Sequence, residues 1–283
     1  MSGSPKVKIV TDSTSDMSQD EAERRGITIV PLTLNIEDKS FRDGIDILPP
    51  EFYRRLPTLS KLPTTSQPSV GLFQQTFEQL SADGSQVISI HISSKLSGTF
   101  NSASLAAQSF PAGQVTVIDS TWVSAALGLP VLKAAEMARA GKTAPEIIEV
   151  VKASLPRINL LAVADTLEYL KKGGRIGGLR AFAGGILSIK PIFTVKDGLV
   201  APFENVRTKK KALERIAEVV KTWGAIERMC ILHADSPDEA GELASMLSTT
   251  YPLKDIYMSM VGPVVGTYTG PKTLGVCAEK KDL

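Results

Sequence analysis

Ser93-Ser94-Lys95-Leu96-Ser97-Gly98-Thr99 gathers hydroxyl groups and a glycine at a point where the sequence changes its period. Before it, Val87 to Ile92 reads Val-Ile-Ser-Ile-His-Ile, a β-branched run suited to a buried strand. After it, Ala103, Ala106, Ala107 and Phe110 recur at helical spacing. A strand that ends in Ser-Gly-Thr just ahead of a helix aims side-chain hydroxyls, unpaired backbone N–H groups and the positive end of a helix dipole at one point. That point suits an anion. Thr64-Thr65-Ser66-Gln67-Pro68-Ser69 offers the same chemistry ahead of a second helical pattern, with Val70, Phe73, Phe77 and Leu80 on one face. Ser66 is placed to cap that helix and Pro68 to sit in its first turn. A lone Ser or Thr before a helix is ordinarily just a cap, so two such motifs leave capping and ligand binding both open.

Other chemistries have less support. A serine hydrolase would combine Ser97 with His91 and an aspartate, but His91 lies inside the apolar run and no nucleophile elbow is present. A phosphotransfer enzyme would use the hydroxyls at Ser97 for phosphate, yet no Gly-rich loop ending in Lys-Ser/Thr occurs. His91 and His233 are the only histidines and neither has a ligand-spaced partner, which argues against a metal site.

The surrounding pattern alternates strands and helices, as in a parallel α/β sheet. Lys6 to Val10 reads as a strand delivering Asp12 and Ser13 to a turn, followed by a helix over Asp20 to Arg25 and a strand over Ile27 to Leu34. Pro49-Pro50 opens a helix through Leu56, and Val115 to Ile118 is a strand running into Asp119-Ser120. Ligands of open α/β sheets bind along the strands' carboxyl ends, so Asp12, Ser97 and Asp119 should share one rim. Asp12 and Asp119 also fit plain capping roles, and carboxylates there would repel an anion. A long helix over Trp122 to Ala140 and another from Pro145 lead to Pro156–Asn159, where the alternation breaks. The division expected is residues 1–157 and 158–283.

The second part reads as a strand (Leu160 to Val163), then a helix over Asp165 to Lys172, with Asp165 and Glu168 spaced as a capping box and Gly173 at its end. Glycines at 173, 174, 177, 178, 184 and 185 suggest tight turns and close backbone approach. Phe193 to Glu204 reads as a hairpin about Asp197-Gly198, and Arg207 with Lys209 to Lys211 opens a helix. A strand (Met229 to His233), a helix (Pro237 to Ser248) and a last strand pair (Asp255 to Val261, Thr273 to Ala278) follow, with a loop holding Tyr268 between the pair.

With 283 residues, 43% hydrophobic and 22% charged, the composition is that of an ordinary globular chain long enough for two cores. A net charge of +2 with one short basic run gives no reason to expect a nucleic-acid partner. Cys230 and Cys277 sit among aliphatic residues and read as buried free thiols. Met1 to Pro5 lack an apolar signal core and no run approaches the ~20 apolar residues of a membrane span, so a cytoplasmic location is expected.

Several motifs together are far more specific than any one. Thr11-Asp12-Ser13-Thr14, Thr65-Ser66-Gln67-Pro68-Ser69, Ser94-Lys95-Leu96-Ser97-Gly98-Thr99, Asp165-Thr166-Leu167, Lys172-Gly173-Gly174-Arg175-Ile176 and Ile189-Lys190-Pro191-Ile192 occur in an order that resembles the DegV family of bacterial fatty-acid-binding proteins. The likeness runs from about Val7 to about Ala278. It implies a two-domain α/β fold: a mostly parallel N-terminal sheet with flanking helices, and a smaller C-terminal domain with a mixed sheet closing over the ligand. It also implies an elongated apolar channel for one long-chain fatty acid, its carboxylate held by Thr65 and Ser97, with Ser66, Gly98 and Thr99 contributing backbone N–H groups.

By the same resemblance the chain is a carrier without cofactor or catalysis of its own. It would present its fatty acid to a separate fatty acid kinase that makes the acyl phosphate. The run of Arg207 and Lys209 to Lys211 reads either as a solvated helix start or as a docking patch for an acidic face of the kinase or for transient contact with anionic lipid head groups. Arg175 and Arg207 are candidates for contact with the ligand or the kinase. One departure stands out: where the family commonly has His in a Gly-Thr-His-Thr-Gly-Pro segment, this chain reads Gly266-Thr267-Tyr268-Thr269-Gly270-Pro271. Tyrosine keeps a hydrogen-bond donor but cannot become cationic, so weaker electrostatic help from this position is expected.

Overall fold

β-branched runs and capped amphipathic stretches alternate along the first half of the chain. The computed structural model describes residues 6–182 and 189–282. In chain order the first half contains β1 (Val7–Asp12), α1 (Gln19–Arg25), β2 (Ile27–Val30), β3 (Thr33–Ile36), β4 (Lys39–Arg42), α2 (Pro49–Arg55), β5 (Thr64–Ser66), α3 (Val70–Ser81), β6 (Gln86–His91), α4 (Thr99–Ala107), β7 (Val115–Asp119), α5 (Ala125–Arg139) and α6 (Ala144–Ser154). The second half contains β8 (Ile158–Val163), α7 (Glu168–Lys172), β9 (Lys190–Lys196), β10 (Leu199–Val206), α8 (Lys209–Lys221), β11 (Ile226–His233), α9 (Pro237–Leu247), β12 (Ile256–Met260), α10 (Pro263–Thr269) and β13 (Leu274–Lys280).

The fold is α/β. β2, β1, β6 and β7 form a parallel sheet in that order, and β4, β3 and β5 form a small antiparallel one. A six-stranded mixed sheet, β10-β9-β8-β13-β11-β12, takes every strand after residue 157, with β11 and β12 its one parallel pair. The second half, though shorter in sequence, therefore carries the broader sheet.

α5 joins the two halves. Its Ala125-Ala126-Leu127-Gly128-Leu129 start is small and apolar, and its first ten residues are nearly all buried. It packs against β1 and β6 on one side and against β8, β11 and β13 on the other. Buried Lys133 reaches from α5 to Glu279 of β13 and, at 2.9 Å, to Glu227 of β11. The apolar core under this helix mixes both halves, including Leu34, Phe52 and Leu129 with Leu160, Phe193 and Leu232.

Several expectations need correction. Ile27 to Leu34 is two strands in two sheets, broken at Pro31, which has no N–H to continue a ladder. Thr64 to Ser66 is strand β5, and α3 is capped by Ser69, whose Oγ accepts from Leu72 N at 3.1 Å. Trp122 to Ser124 precede α5 in irregular backbone, with Thr121 and Ser124 at positive φ. Asp165 does not cap α7; its carboxylate pairs with Lys190 instead. The Tyr268 segment is helix α10, started by Pro263 and ended by Gly270, and not a loop. β12 and β13 do not pair with each other but flank β11.

The hairpin turn is as expected, with Asp197 and Gly198 both at positive φ as a two-residue turn requires. Gly174 and Gly177 adopt positive φ, while Gly184 and Gly185 lie outside the described residues. Cys230 and Cys277 are free and face each other across β11 and β13, where burial holds the Cys277 thiol well above its usual range and so protonated. Among the described residues no helix is long and apolar enough to cross a membrane.

Candidate functional site

Asp12 and Asp119, expected on one rim with Ser97, turn out to build the site from behind. Asp12 accepts from Thr14 N at 3.0 Å and from Ile92 N at 3.0 Å, which ties the end of β1 to the end of β6. Its second oxygen also meets His91 Nδ1 at 2.9 Å, and His91 Nε2 meets Ser89 Oγ at 2.6 Å. Both ring nitrogens of a fully buried histidine are thus engaged, leaving neither for Ser97. This removes the hydrolase arrangement of Ser97 with His91. Asp119 accepts from Ser94 N at 3.3 Å and Thr121 N at 2.9 Å, so it fixes the loop that carries Ser97.

That loop is a tight one. Leu96 N and Ser97 N both donate to Ser93 O, and Ser97 Oγ is 2.9 Å from Thr99 Oγ1 and accepts from Thr99 N at 3.3 Å. Gly98 caps α4, and a side chain there would collide with Gln67, which crosses over it to donate to Ser102 Oγ at 3.3 Å. Gln67 thereby holds the Thr65 motif against the Ser97 motif. On β5 successive side chains alternate. Ser66 is exposed and meets Asn35, whereas half-buried Thr65 turns inward and its Oγ1 lies 2.5 Å from Tyr268 OH.

Tyr268 arrives from the other half of the chain. α10 packs against α2, β3 and β5 of the first half and against α7 of the second. The ring lies over Gly173, where any Cβ would strike it, so glycine is required by this close approach. Arg175 sits on the ring face, its Cζ 4.7 Å from the centroid, and donates to Gly173 O at 2.8 Å and Leu96 O at 3.4 Å.

Thr65, Ser97, Tyr268 and Arg175 line one cavity of about 70 Å³ between the halves. Its remaining walls are Leu32, Ile92, Leu96, Val123, Leu170, Val200, Val264 and Val265, with Thr14 and Thr269. Apart from buried Thr14, the polar side chains are half-buried or exposed, whereas the aliphatic ones are mostly buried. No carboxylate is among its described lining residues, and Arg175 is its only cation. The expected elongated channel is here a short slot, well below the several hundred Å³ of a ligand pocket. Ser66, Gly98, Thr99 and Arg207 do not line it. Thr99 instead positions Ser97, and Arg207 is exposed where β10 gives way to α8. The aliphatic lining was not anticipated; its one sequence signal is that Ile92, Leu96 and Val264 sit beside strand ends or motif residues.

A family model described as "Uncharacterised protein, DegV family" matches residues 6–281. This chain belongs to the DegV family. A DegV domain-containing protein of Caldanaerobacter subterraneus is 39% identical over 98% of this chain and 99% of its own length. Among solved structures, a DegV family protein of Thermus thermophilus described by its fatty acid binding superposes with a TM-score of 0.91 at 36% identity, covering 98% of this chain and all of that one. DegV of Bacillus subtilis, described as a fatty acid binding protein, superposes at 0.89 with 34% identity, again over 98% of this chain and all of its own. In this DegV family member Arg175, on the face of Tyr268, places a cation in the lining of the same cavity.

Proposed function

We propose that this chain binds one long-chain fatty acid between residues 1–157 and 158–283 acting as two domains, and carries it unchanged to a separate fatty acid kinase. One observation supports this reading most directly: a cavity whose described lining combines alcohols and an arginine with aliphatic residues and holds no carboxylate. Burying ~16 carbons at about 0.8 kcal/mol each is a gross favourable term of roughly 12 kcal/mol. Affinity comes from the tail. The carboxylate would cost several kcal/mol if buried without donors. Thr65, Ser97 and Tyr268 hydroxyls offset that cost, and Arg175 adds charge from the face of the tyrosine.

A tail of this length does not fit a standing space of about 70 Å³, so loading spreads the apolar seam shared by the two halves. The half-exposed polar end leaves the carboxyl group within reach of another protein's phosphoryl donor. Among the described residues none is placed to activate a nucleophile there, in keeping with an acid that is carried and not transformed. Exchange with a membrane surface would supply the ligand, and the chain's site is that of a cytoplasmic carrier.

Organic extraction of the purified protein followed by lipid mass spectrometry tests the core of this reading. A long-chain fatty acid in about one-to-one ratio is expected, and Thr65→Ala with Ser97→Ala should lose it while keeping the circular dichroism of the parent. Equal fatty-acid retention by the double variant in native mass spectrometry would dismiss the site. Mixing the loaded protein with a fatty acid kinase and ATP should yield acyl phosphate, and the protein alone with ATP should yield none.

A further inference from the structure

A larger cavity, of about 480 Å³, opens on the far side of the same turn of chain. Thr14 faces the slot described above, while Ser13 and Ser15 face this one; Val264 and Val265 face the slot, while Gly262 and Pro263 face this one. Its volume falls within the range of small-molecule sites.

Its chemistry differs from that of the slot. Asp16 and Asp43 line it, and Asp20 and Glu21 line it too. The one cationic side chain in the lining, Arg228, is already paired with Glu136. Met17, Leu129, Leu132, Met258 and Met260 supply aliphatic and thioether wall. Two buried polar atoms in the lining are left over: Asp43 Oδ1 and Ser15 Oγ have no hydrogen-bond partner among the described residues, although Asp43 is 1% and Ser15 2% exposed. Asp16 is satisfied, by Gly262 N at 2.9 Å and by Ser124 Oγ. Buried polar groups are rarely left unpaired, and a group that a ligand completes is one reason for the exception.

A partner that donates to the Asp43 carboxyl oxygen, also engages the Ser15 hydroxyl, brings no negative charge beside Asp20 and Glu21, and has an apolar body would complete the site. An ammonium group has three donors and no acceptor. We propose that this cavity is a second ligand site, for an aliphatic amine whose ammonium group meets Asp43 Oδ1 and Ser15 Oγ and whose alkyl part lies along the methionine and leucine wall. A divalent cation fits less well, since no group of three metal-ligating side chains exists among the described residues. Burial pushes the Asp16 carboxyl up to about 8 and that of Asp43 up to about 7, with Asp12 adding to both and the Ser124, Gly262, Ser13 and Val264 groups opposing. Acids in that condition lack a nearby counter-cation.

The test is calorimetric titration of the purified full chain with n-hexylammonium, beside n-hexanol and hexanoate as equal tails with neutral and negative heads. Hexylammonium should bind about tenfold more tightly than hexanol, and hexanoate should not bind at this site. Asp43→Asn should weaken hexylammonium about tenfold and leave hexanol unchanged. Should Asp43→Asn fail to fold, Leu132→Trp, which fills the cavity from α5, should abolish hexylammonium binding. Thr65→Ala with Ser97→Ala should leave it intact, which separates this site from the fatty-acid reading. Equal binding of hexylammonium and hexanol, or hexylammonium binding that survives Leu132→Trp, would overturn the proposal.

Discussion

Where Thr14 faces the slot between the halves, its polar neighbours are three alcohols, a tyrosine and an arginine; where Ser13 and Ser15 face the larger cavity, theirs include Asp16, Asp43, Asp20 and Glu21. One turn of chain thus separates a cavity with no carboxylate in its described lining from one lined by four acidic residues. The turn also fastens the halves together. Asp16 accepts from Gly262 N, its backbone oxygen accepts from Ser259 Oγ at 3.0 Å, and Tyr53 OH donates to Val261 O at 3.0 Å nearby. The segment that divides the two chemistries is therefore part of the seam between the halves.

Four measurements would break or sharpen this contrast. The largest effect is expected from Thr65→Ala with Ser97→Ala: loss of two hydrogen bonds to a charged head should weaken fatty-acid binding about a hundredfold by fluorescence displacement, with hexylammonium titration unaltered. Arg175→Gln should cost about fivefold in the same assay and reduce its salt dependence, since an exposed charge contributes roughly 1 kcal/mol. A smaller loss, about threefold, is expected from Tyr268→Phe, which keeps the ring under Arg175 and removes the hydroxyl facing Thr65.

The last concerns pH. Burial raises the Asp16 carboxyl from 3.8 to about 8, so between those values the folded chain keeps a proton that the unfolded chain releases. Stability from this group is fully present at low pH and is lost as pH rises toward 8. Thermal scans should show Tm falling over that interval, and Asp16→Asn should flatten the fall by about 2–4 °C. A parallel pH profile in parent and variant would show that Asp16 is ionised in the folded protein and that the acidic wall is not as dry as its burial implies.

Much of the slot between the halves was legible in the sequence because its polar members are motif residues at element junctions. Thr65, Ser97, Tyr268 and Arg175 could all be singled out by type and position, and all four line the slot. Other positions misled. Ser66 read as a cap, but it is an outward residue of a three-residue strand whose inward neighbour Thr65 carries the site. Asp165 and Glu168 had capping spacing, yet Lys190, distant in sequence, claims the aspartate. Pro31 and Pro263 did carry readable signals, the first for a broken strand and the second for a helix start. The acidic cavity was not legible at all, because Asp16, Asp43 and Ser15 belong to no motif and part of its wall comes from β12 and the start of α10, far away in sequence.

By itself the sequence determined local matters: which runs become strands, which hydroxyls stand at helix starts, and which segments alternate into an α/β pattern. These follow from φ/ψ preference, capping and hydrophobic period, all of which act over a few residues. Tertiary structure alone decided which side of the Ser13–Ser15 turn is acidic and which is not, and that α10 would bring Tyr268 to Thr65. Burial, charge proximity and unpaired donors or acceptors depend on residues far apart in the chain, so they come into being only when its two halves meet.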